Sequence, residues 1–339
     1  MREYHHYSLV NHTTFGIDAV TDRFVEYESV DELLSLLPDL QNTPFLQIGA
    51  GSNLLFTKPF HGIILHSGIK GISVKEDDDS VLLKAASGEV WDDVVSYAVK
   101  HGWSGMENLS AIPGEVGASA VQNIGAYGVE AKDLIVEMEA LEVKTGQIFV
   151  IPNGDCCYGY RHSIFKDLWK GRFIILSVTY RLQKSFVPKL DYGNIRTELE
   201  RNLGENYEGI LTLSQLRETI VDIRHAKLPD PKVLGNAGSF FMNPVISRDL
   251  HMLLEKQGFI VPFYEVDEDR VKVPAGWLID QCGWKGRRIG NVGVYEKQAL
   301  ILVNHGGASG EEIVALSDAI CQDVKSKFGI TIHPEVNFI

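Results

Sequence analysis

Asn108-Leu109-Ser110-Ala111-Ile112-Pro113-Gly114-Glu115-Val116-Gly117, running on to Gln122-Asn123-Ile124-Gly125-Ala126-Tyr127-Gly128, is the stretch on which the fold turns. Four of the fifteen positions from Gly114 to Gly128 are glycine, and Ile112, Val116, Val121 and Ile124 are set among them. A long surface loop is one reading. A wall along a planar ligand is the other, and the apolar residues favour it, because surface loops rarely interleave them with glycine. Upstream, Ile48-Gly49-Ala50-Gly51-Ser52-Asn53-Leu54-Leu55 follows a strand-like run, and its glycines allow consecutive N–H groups to face an anion. The dinucleotide pattern Gly-x-Gly-x-x-Gly would need glycine where Leu54 stands, and no Gly-Lys-Ser/Thr follows. Alone, this turn reads equally well as a plain tight turn.

Outward from the two loops, Pro44 to Ile48, Gly62 to Leu65 and Val81 to Ala85 read as short strands. Glu89 to His101 reads as a helix with Val90, Val94, Val95 and Ala98 on one stripe and Asp92 and Asp93 near its positive end. Ile135 to Val143 alternates apolar residues with Glu137, Glu139 and Glu142, as in a half-solvated strand, whereas Phe173 to Leu182 reads as a buried one. Thr212 and Gln215 form a capping box for a helix that Pro229 stops, and further helices are expected at Ser247 to Gln257, Pro274 to Cys282 and Ser309 to Phe328. Strands and helices without a strict alternation argue an α+β fold. Domains are expected at 1–67, 68–220 and 221–339.

Composition narrows the function classes. The 339 residues are 45% hydrophobic and 23% charged, which supports globular domains and leaves no room for long disorder. Lys and Arg total 32 against 45 Asp and Glu, a formal charge of −13, which opposes generic binding to nucleic acid or an anionic membrane. An anionic ligand therefore needs a local basic cluster. Cys156, Cys157, Cys282 and Cys321 have neither zinc-site nor disulfide-framework spacing, so reduced thiols are expected and no metal site. No apolar run approaches the ~18 residues of a membrane span, and the N-terminal residues do not look like an export signal.

Six segments carry a resemblance. GAGSNLL at 49–55, IPGEVGASAVQNIGAYG at 112–128, Tyr160 to Lys166, Lys227-Leu228-Pro229-Asp230-Pro231, Gly235 to Phe241 and His333-Pro334-Glu335-Val336 together closely resemble the UDP-N-acetylenolpyruvoylglucosamine reductase family, in the family's order and over nearly the whole chain. The resemblance implies a two-part FAD-binding region of the vanillyl-alcohol-oxidase (PCMH) type, followed by a C-terminal α+β substrate-binding domain whose last strand can return to the first part. It implies a cytoplasmic, monomeric enzyme using FAD and NADPH, with UDP-N-acetylglucosamine enolpyruvate as substrate, in peptidoglycan precursor synthesis. By the same resemblance Gly49, Ala50, Gly51, Ser52, Asn53, Leu54, Ile112, Pro113, Gly114, Gly117, Ile124, Gly125 and Arg224 hold the cofactor. Tyr160, Tyr192, Lys227, Asn243, Lys285 and Gln298 bind substrate, Tyr192 on the lid loop of the longer subtype.

Reduction of an enolpyruvyl ether needs hydride at C3, a cation facing the carboxylate where enolate-like charge develops, and a proton donor over C2. The resemblance assigns that proton to Ser239, charge stabilisation to Arg161 and the completion of the acid and enolate-binding group to Glu335. On residue type alone Ser239 also reads as a helix N-cap, Arg161 as a surface ion-pair partner and Glu335 as a paired structural carboxylate. Met242 and Asn337 depart from the family pattern, each at a position where a cation is frequent. Two other classes compete: an oxidase on the same FAD scaffold, and a catalytically silent flavin or nucleotide-sugar sensor.

Overall fold

The computed structural model describes residues Met1 to Ile339. Eight α-helices follow one another along the chain: α1 (Val30–Leu40), α2 (Trp91–Lys100), α3 (Val116–Gln122), α4 (Ile195–Leu203), α5 (Leu213–Lys227), α6 (Arg248–Lys256), α7 (Ala275–Gln281) and α8 (Gly310–Phe328). Two compact units result, and they interleave along the chain. The first takes Met1–Tyr7, Thr21–Ala50 and His61–Ala226; the second takes Ser8–Val20, Gly51–Phe60 and Lys227–Ile339.

The first unit holds two sheets, each with its own core. A four-stranded sheet runs in the order Arg2–Ser8, Val20–Tyr27, Phe60–Ser67, Phe45–Ile48. It buries Val25, Tyr27, Ile63 and Leu65 against Leu33, Leu36 and Leu40 of α1, whose N-terminus is capped by Ser29 accepting from the Glu32 amide. The other sheet is antiparallel, in the order Ile148–Pro152, Ile135–Glu142, Phe173–Gln183, Ser80–Ala86, Ile72–Glu76. Leu83, Val178 and Leu182 pack there with Trp91, Val94, Val95 and Ala98, the expected stripe of α2 without Val90, which is exposed. Ile135–Glu142 is more enclosed than a half-solvated strand. It is paired on both sides, Met138, Ala140 and Leu141 are fully buried, and two of its acids are paired, Glu139 with Lys84 and Glu142 with Arg172.

In the second unit Gly235–Asn236, Leu302–Asn304, Val292–Val294 and Arg288–Ile289 form an antiparallel sheet. Its core joins Phe240, Phe241 and Leu302 to Leu278 and Ile279 of α7 and Ile313, Ile320 and Val324 of α8. The box from Ser309 to Glu312 caps α8 as expected. The last strand, Asn337–Phe338, pairs in parallel with Leu54–Leu55, within the segment expected to open the chain. No helix is long and apolar enough to cross a membrane. Several elements were not expected, among them α1, α4 and the strands Arg2–Ser8 and Val20–Tyr27. Another, α3, lies inside the glycine-rich connection, because Ser119 and Ala120 bury themselves in the first unit's core before Asn123 ends the turn in a left-handed conformation.

Candidate active site

In the first unit the second glycine loop is pinned at many points. The Trp91 amide donates to Gly114 O at 3.0 Å, Val116 N to Glu89 O at 2.9 Å and Gly117 N to Ser87 O at 2.9 Å, while the buried Trp91 indole donates to Leu109 O at 2.9 Å. A Cβ on Gly117 would lie 3.0 Å from that of Ser87, so glycine permits the close approach. Of the apolar residues expected to form a ligand wall, Val116 is instead a fully buried core residue, because it begins α3 on its inward face; Ile112, Val121 and Ile124 are half-buried against the same core.

Five of the six non-glycine residues at positive φ belong to this region: Ala111, Asn123, Tyr127, Cys157 and Arg161. A left-handed conformation costs an L-residue roughly 1–2 kcal/mol, and such strain gathers where the surroundings over-determine it. Asn123 shows how. Fully buried, its side chain donates to Gly159 O at 2.8 Å and accepts from Lys132 N at 3.0 Å. That anchors the tight Gly159–His162 turn, at whose tip stand the exposed Tyr160 and the half-buried Arg161 (φ 56). The Arg161 guanidinium donates to Gly125 O at 2.7 Å and more distantly to Asn123 O at 3.4 Å. A Cβ on Gly125 would stand 3.1 Å from Val129 O and 3.2 Å from Arg161 Nη1, so the strand backbone and the guanidinium both come close to this glycine. Lys166 Nζ donates to Arg161 O at 3.1 Å and Ser163 Oγ to Val121 O at 2.6 Å, which completes the local support.

Arg224, on α5, reaches the same loop: its Nε donates to Ala111 O at 3.2 Å. Burial lowers its pKa, Tyr127 and Asp92 oppose that, and the charge of Arg161 lowers it further, so two guanidiniums share this part of the first unit. This is a local basic cluster in a chain of net charge −13. Seven residues earlier on α5, Arg217 forks onto Asp92 with two bonds of 2.8 Å, and Asp92 also accepts from the Ala111 amide at 2.6 Å. Burial alone would raise the Asp92 pKa, but Arg217 and the amide bring it below the ordinary value. Neither residue stood out in the sequence as part of a site. Tyr192 is exposed, and its ring meets Tyr127 edge-on at 6.3 Å beside a small cluster in which Leu190, Ile195 and Leu199 pack on Leu216 and Ile220 of α5.

Gly49 comes against the second loop, since a Cβ there would lie 3.2 Å from both the Ala118 Cβ and Glu115 Oε2. The Glu115 carboxylate meets His66 Nε2 at 2.8 Å, and that of Glu26 meets the other ring nitrogen, Nδ1, at 2.8 Å. Burial alone would lower the His66 pKa, but the two carboxylates raise it above its ordinary value.

The second unit supplies the other two candidate catalytic residues and brings them together. No helix follows Ser239, so it is not an N-cap: the chain runs irregularly from Gly238 (φ 67) to the short Val245–Ser247 strand. Asn236 braces the turn by donating to Leu234 O at 2.8 Å and accepting from Gly238 N at 2.9 Å. A Cβ on Gly235 would fall 2.3 Å from Phe15 O, so only glycine fits. Half-buried, Ser239 has a hydroxyl that bonds no protein group. The next residue, Phe240, accepts the Glu335 amide at 2.7 Å, which sets Glu335 beside the serine turn. Asn53 completes the group, donating to Glu335 O at 3.3 Å, while the Asn337 backbone and side-chain amides both donate to Asn53 O at 3.1 Å. The departure at Asn337 is therefore structural. Gly51 (φ 63) packs against the His12–Thr13 backbone, where a Cβ would be 2.0 Å from His12 O.

Among the substrate candidates, Asn243 accepts from the Ala275 amide at the start of α7 at 2.9 Å, and Gln298 accepts from Leu300 N at 3.3 Å with Gly276 beside it. Lys227 begins the last segment of the second unit and is exposed. Lys285 is exposed too and pairs with Asp280 at 3.6 Å.

FAD can be tested against these loops. Within the first unit the amides of Ala50, Ile112 and Gly114 donate to no protein acceptor, glycine keeps the backbone bare, and Arg161 and Arg224 add positive charge. Bare amides beside cations suit a phosphate-bearing cofactor, so the residues present fit.

The comparisons agree with that fit. A family model described as an FAD binding domain matches residues 21–151, and one described as the C-terminal domain of UDP-N-acetylenolpyruvoylglucosamine reductase matches residues 230–339. A protein of Bacteroides fragilis named UDP-N-acetylenolpyruvoylglucosamine reductase is 55% identical over 98% of this chain and 99% of its own; one of Porphyromonas gingivalis with the same name is 49% identical over 98% of both. The crystal structure of such a reductase from Thermus caldophilus superposes with a TM-score of 0.67 at 20% identity, covering 99% of this chain and 98% of the other, which supports the fold. With half of its residues shared along its whole length, the chain belongs to the UDP-N-acetylenolpyruvoylglucosamine reductase family of FAD-containing oxidoreductases.

Proposed function

We propose that the protein reduces UDP-N-acetylglucosamine enolpyruvate to UDP-N-acetylmuramate with NADPH as electron donor, the two substrates binding in turn. Bound FAD supplies the hydride delivered to C3 of the enolpyruvyl group. Ser239 gives its hydroxyl proton to C2. Glu335, fixed beside it by the bond from its amide to Phe240 O, completes the acid and enolate-binding group. Arg161, whose guanidinium is oriented by Gly125 O and Asn123 O, stabilises the charge that develops toward the substrate carboxylate. Tyr192 closes a lid that excludes water, with Tyr160, Lys227, Asn243, Lys285 and Gln298 on the substrate and the glycine loops with Arg224 on FAD.

The observation that carries the reading is the half-buried Ser239 hydroxyl, without a partner in the protein and next to Glu335. A hydroxyl held in a braced turn with no structural bond to make is available to a reacting carbon.

The test is anaerobic absorbance spectroscopy. NADPH should bleach the oxidised flavin band, and the enolpyruvyl UDP-sugar should restore it without oxygen. A flavin that bleaches and recovers only when oxygen is admitted would make the protein an oxidase; one that neither bleaches nor recovers would leave a silent sensor.

A further inference from the structure

We propose that Asp92, oriented by Arg217, is a positioning residue for the flavin cofactor, acting through Ala111 at the upstream end of the Ile112–Gly117 loop. The inference rests on the reading of that loop as part of the FAD site.

A carboxylate on the first turn of a helix is usually explained by the helix dipole. Asp92 stands on the first turn of α2, but its bonds go elsewhere. Oδ1 accepts from the Ala111 amide at 2.6 Å and from Arg217 Nη1 at 2.8 Å, and Oδ2 accepts from Nη2 at 2.8 Å. A two-pronged guanidinium fixes the carboxylate plane as well as its position. On the other side of Ala111, its carbonyl accepts from Arg224 Nε at 3.2 Å. One residue is thus gripped at both its amide and its carbonyl, and it is the residue held at φ 55.

The downstream part of the loop has its own ties, from Trp91 to Gly114, from Glu89 to Val116 and from Ser87 to Gly117. Between Ala111 and Gly114 there are none of this kind from the amides, so the direction of the bare Ile112 and Gly114 N–H groups depends on the conformation of Ala111. Released from Asp92, an L-residue returns to negative φ. That swings the following peptide and re-aims those donors.

Titration of the flavin-free full-length protein with FAD, read by quenching of flavin fluorescence, tests this alongside thermal melting of the flavin-free form. Asp92→Ala removes the acceptor and should weaken FAD binding by about tenfold or more, the scale of one charge-assisted hydrogen bond. Asp92→Asn keeps an oxygen for the Ala111 amide and should stay within about threefold of the unaltered protein. Equal affinity for Asp92→Ala and the unaltered protein, or equal losses for Asn and Ala, would overturn the assignment. If Asp92→Ala does not fold, Arg217→Met decides: weaker FAD binding by a folded protein supports it and unchanged binding overturns it. Gly114→Ala, at φ 129, separates the two layers. Unchanged FAD affinity there would remove the loop from the cofactor site and the proposal with it, whereas a loss there with none in Asp92→Ala would sink only the role of Asp92.

Discussion

The loop from Ala111 to Gly125 and the turn from Gly235 to Phe240 both present functional groups on irregular backbone, and they are built in different ways. In the first, backbone bonds hold Gly114, Val116 and Gly117, but side chains hold its two left-handed residues: Asp92 and Arg224 grip Ala111, and Asn123 ties itself to Gly159 O and Lys132 N. In the second, backbone does most of it, through Phe240 N to Leu300 O at 2.7 Å, Met242 N to His333 O at 2.9 Å and Glu335 N to Phe240 O at 2.7 Å, with the positive φ left to glycine. A loop that grips a cofactor can be tuned by charged side chains at its edge. A turn that offers one free hydroxyl is best braced by groups that do not compete for it.

The comparison breaks most sharply at Ser239. Because the brace does not use its hydroxyl, Ser239→Ala should leave folding and bleaching by NADPH intact and slow reoxidation by the UDP-sugar at least ~10²-fold. Stopped-flow absorbance separates the two half-reactions, and an unchanged reoxidation rate would take the proton from this serine.

Gly51→Ala comes next. The Cβ would collide with His12 O at 2.0 Å and sit on a backbone at φ 63, so a loss of about 2 kcal/mol or more is expected, a fall of roughly 4 °C or more in melting temperature for a protein of this size. Ala111→Gly tests the opposite case, since the strain there belongs to a side chain that tolerates it. Relief of the left-handed penalty, offset by the greater freedom of glycine in the unfolded chain, should leave a gain of no more than about 1 kcal/mol in denaturant unfolding. Destabilisation would mean that Ala111 is not strained.

How far the sequence could be read follows the same division. The α5 and α8 caps, the buried Phe173–Gln183 strand and the core stripe of α2 are local patterns, and each lies where the periodicity places it. Ser239 and Glu335 were legible through short motifs. Missed were α1, α4 and the strands Arg2–Ser8 and Val20–Tyr27, then α3, whose small residues have no apolar period, and the enclosure of Ile135–Glu142, where Glu139 and Glu142 read as solvated although Lys84 and Arg172 pair with them. Asp92 was visible as a helix-end charge. Its tie to Arg217, 125 positions away, has no local signature.

The smallest effect sharpens the comparison at the edge of the first region. His66 bridges Glu26 and Glu115, and Glu26 also meets Arg2 on the neighbouring strand, so the imidazole sits between carboxylates in a partly buried place. Burial opposes its charge, yet the carboxylates win and its folded pKa lies above 6.5. A group whose folded pKa is raised contributes stability that is complete below its unfolded pKa and disappears as pH rises through the folded one. The unaltered protein should therefore lose melting temperature on going from below pH 6.5 into the alkaline range. In His66→Gln that part of the slope should be absent. Glu115 also lines the position where Gly49 would carry a Cβ, so FAD should bind the unaltered protein more weakly across the same pH range only if the first loop depends on the charged imidazole. An identical melting slope in both proteins would show that His66 is neutral in the fold and that the two glycine loops meet without help from its charge.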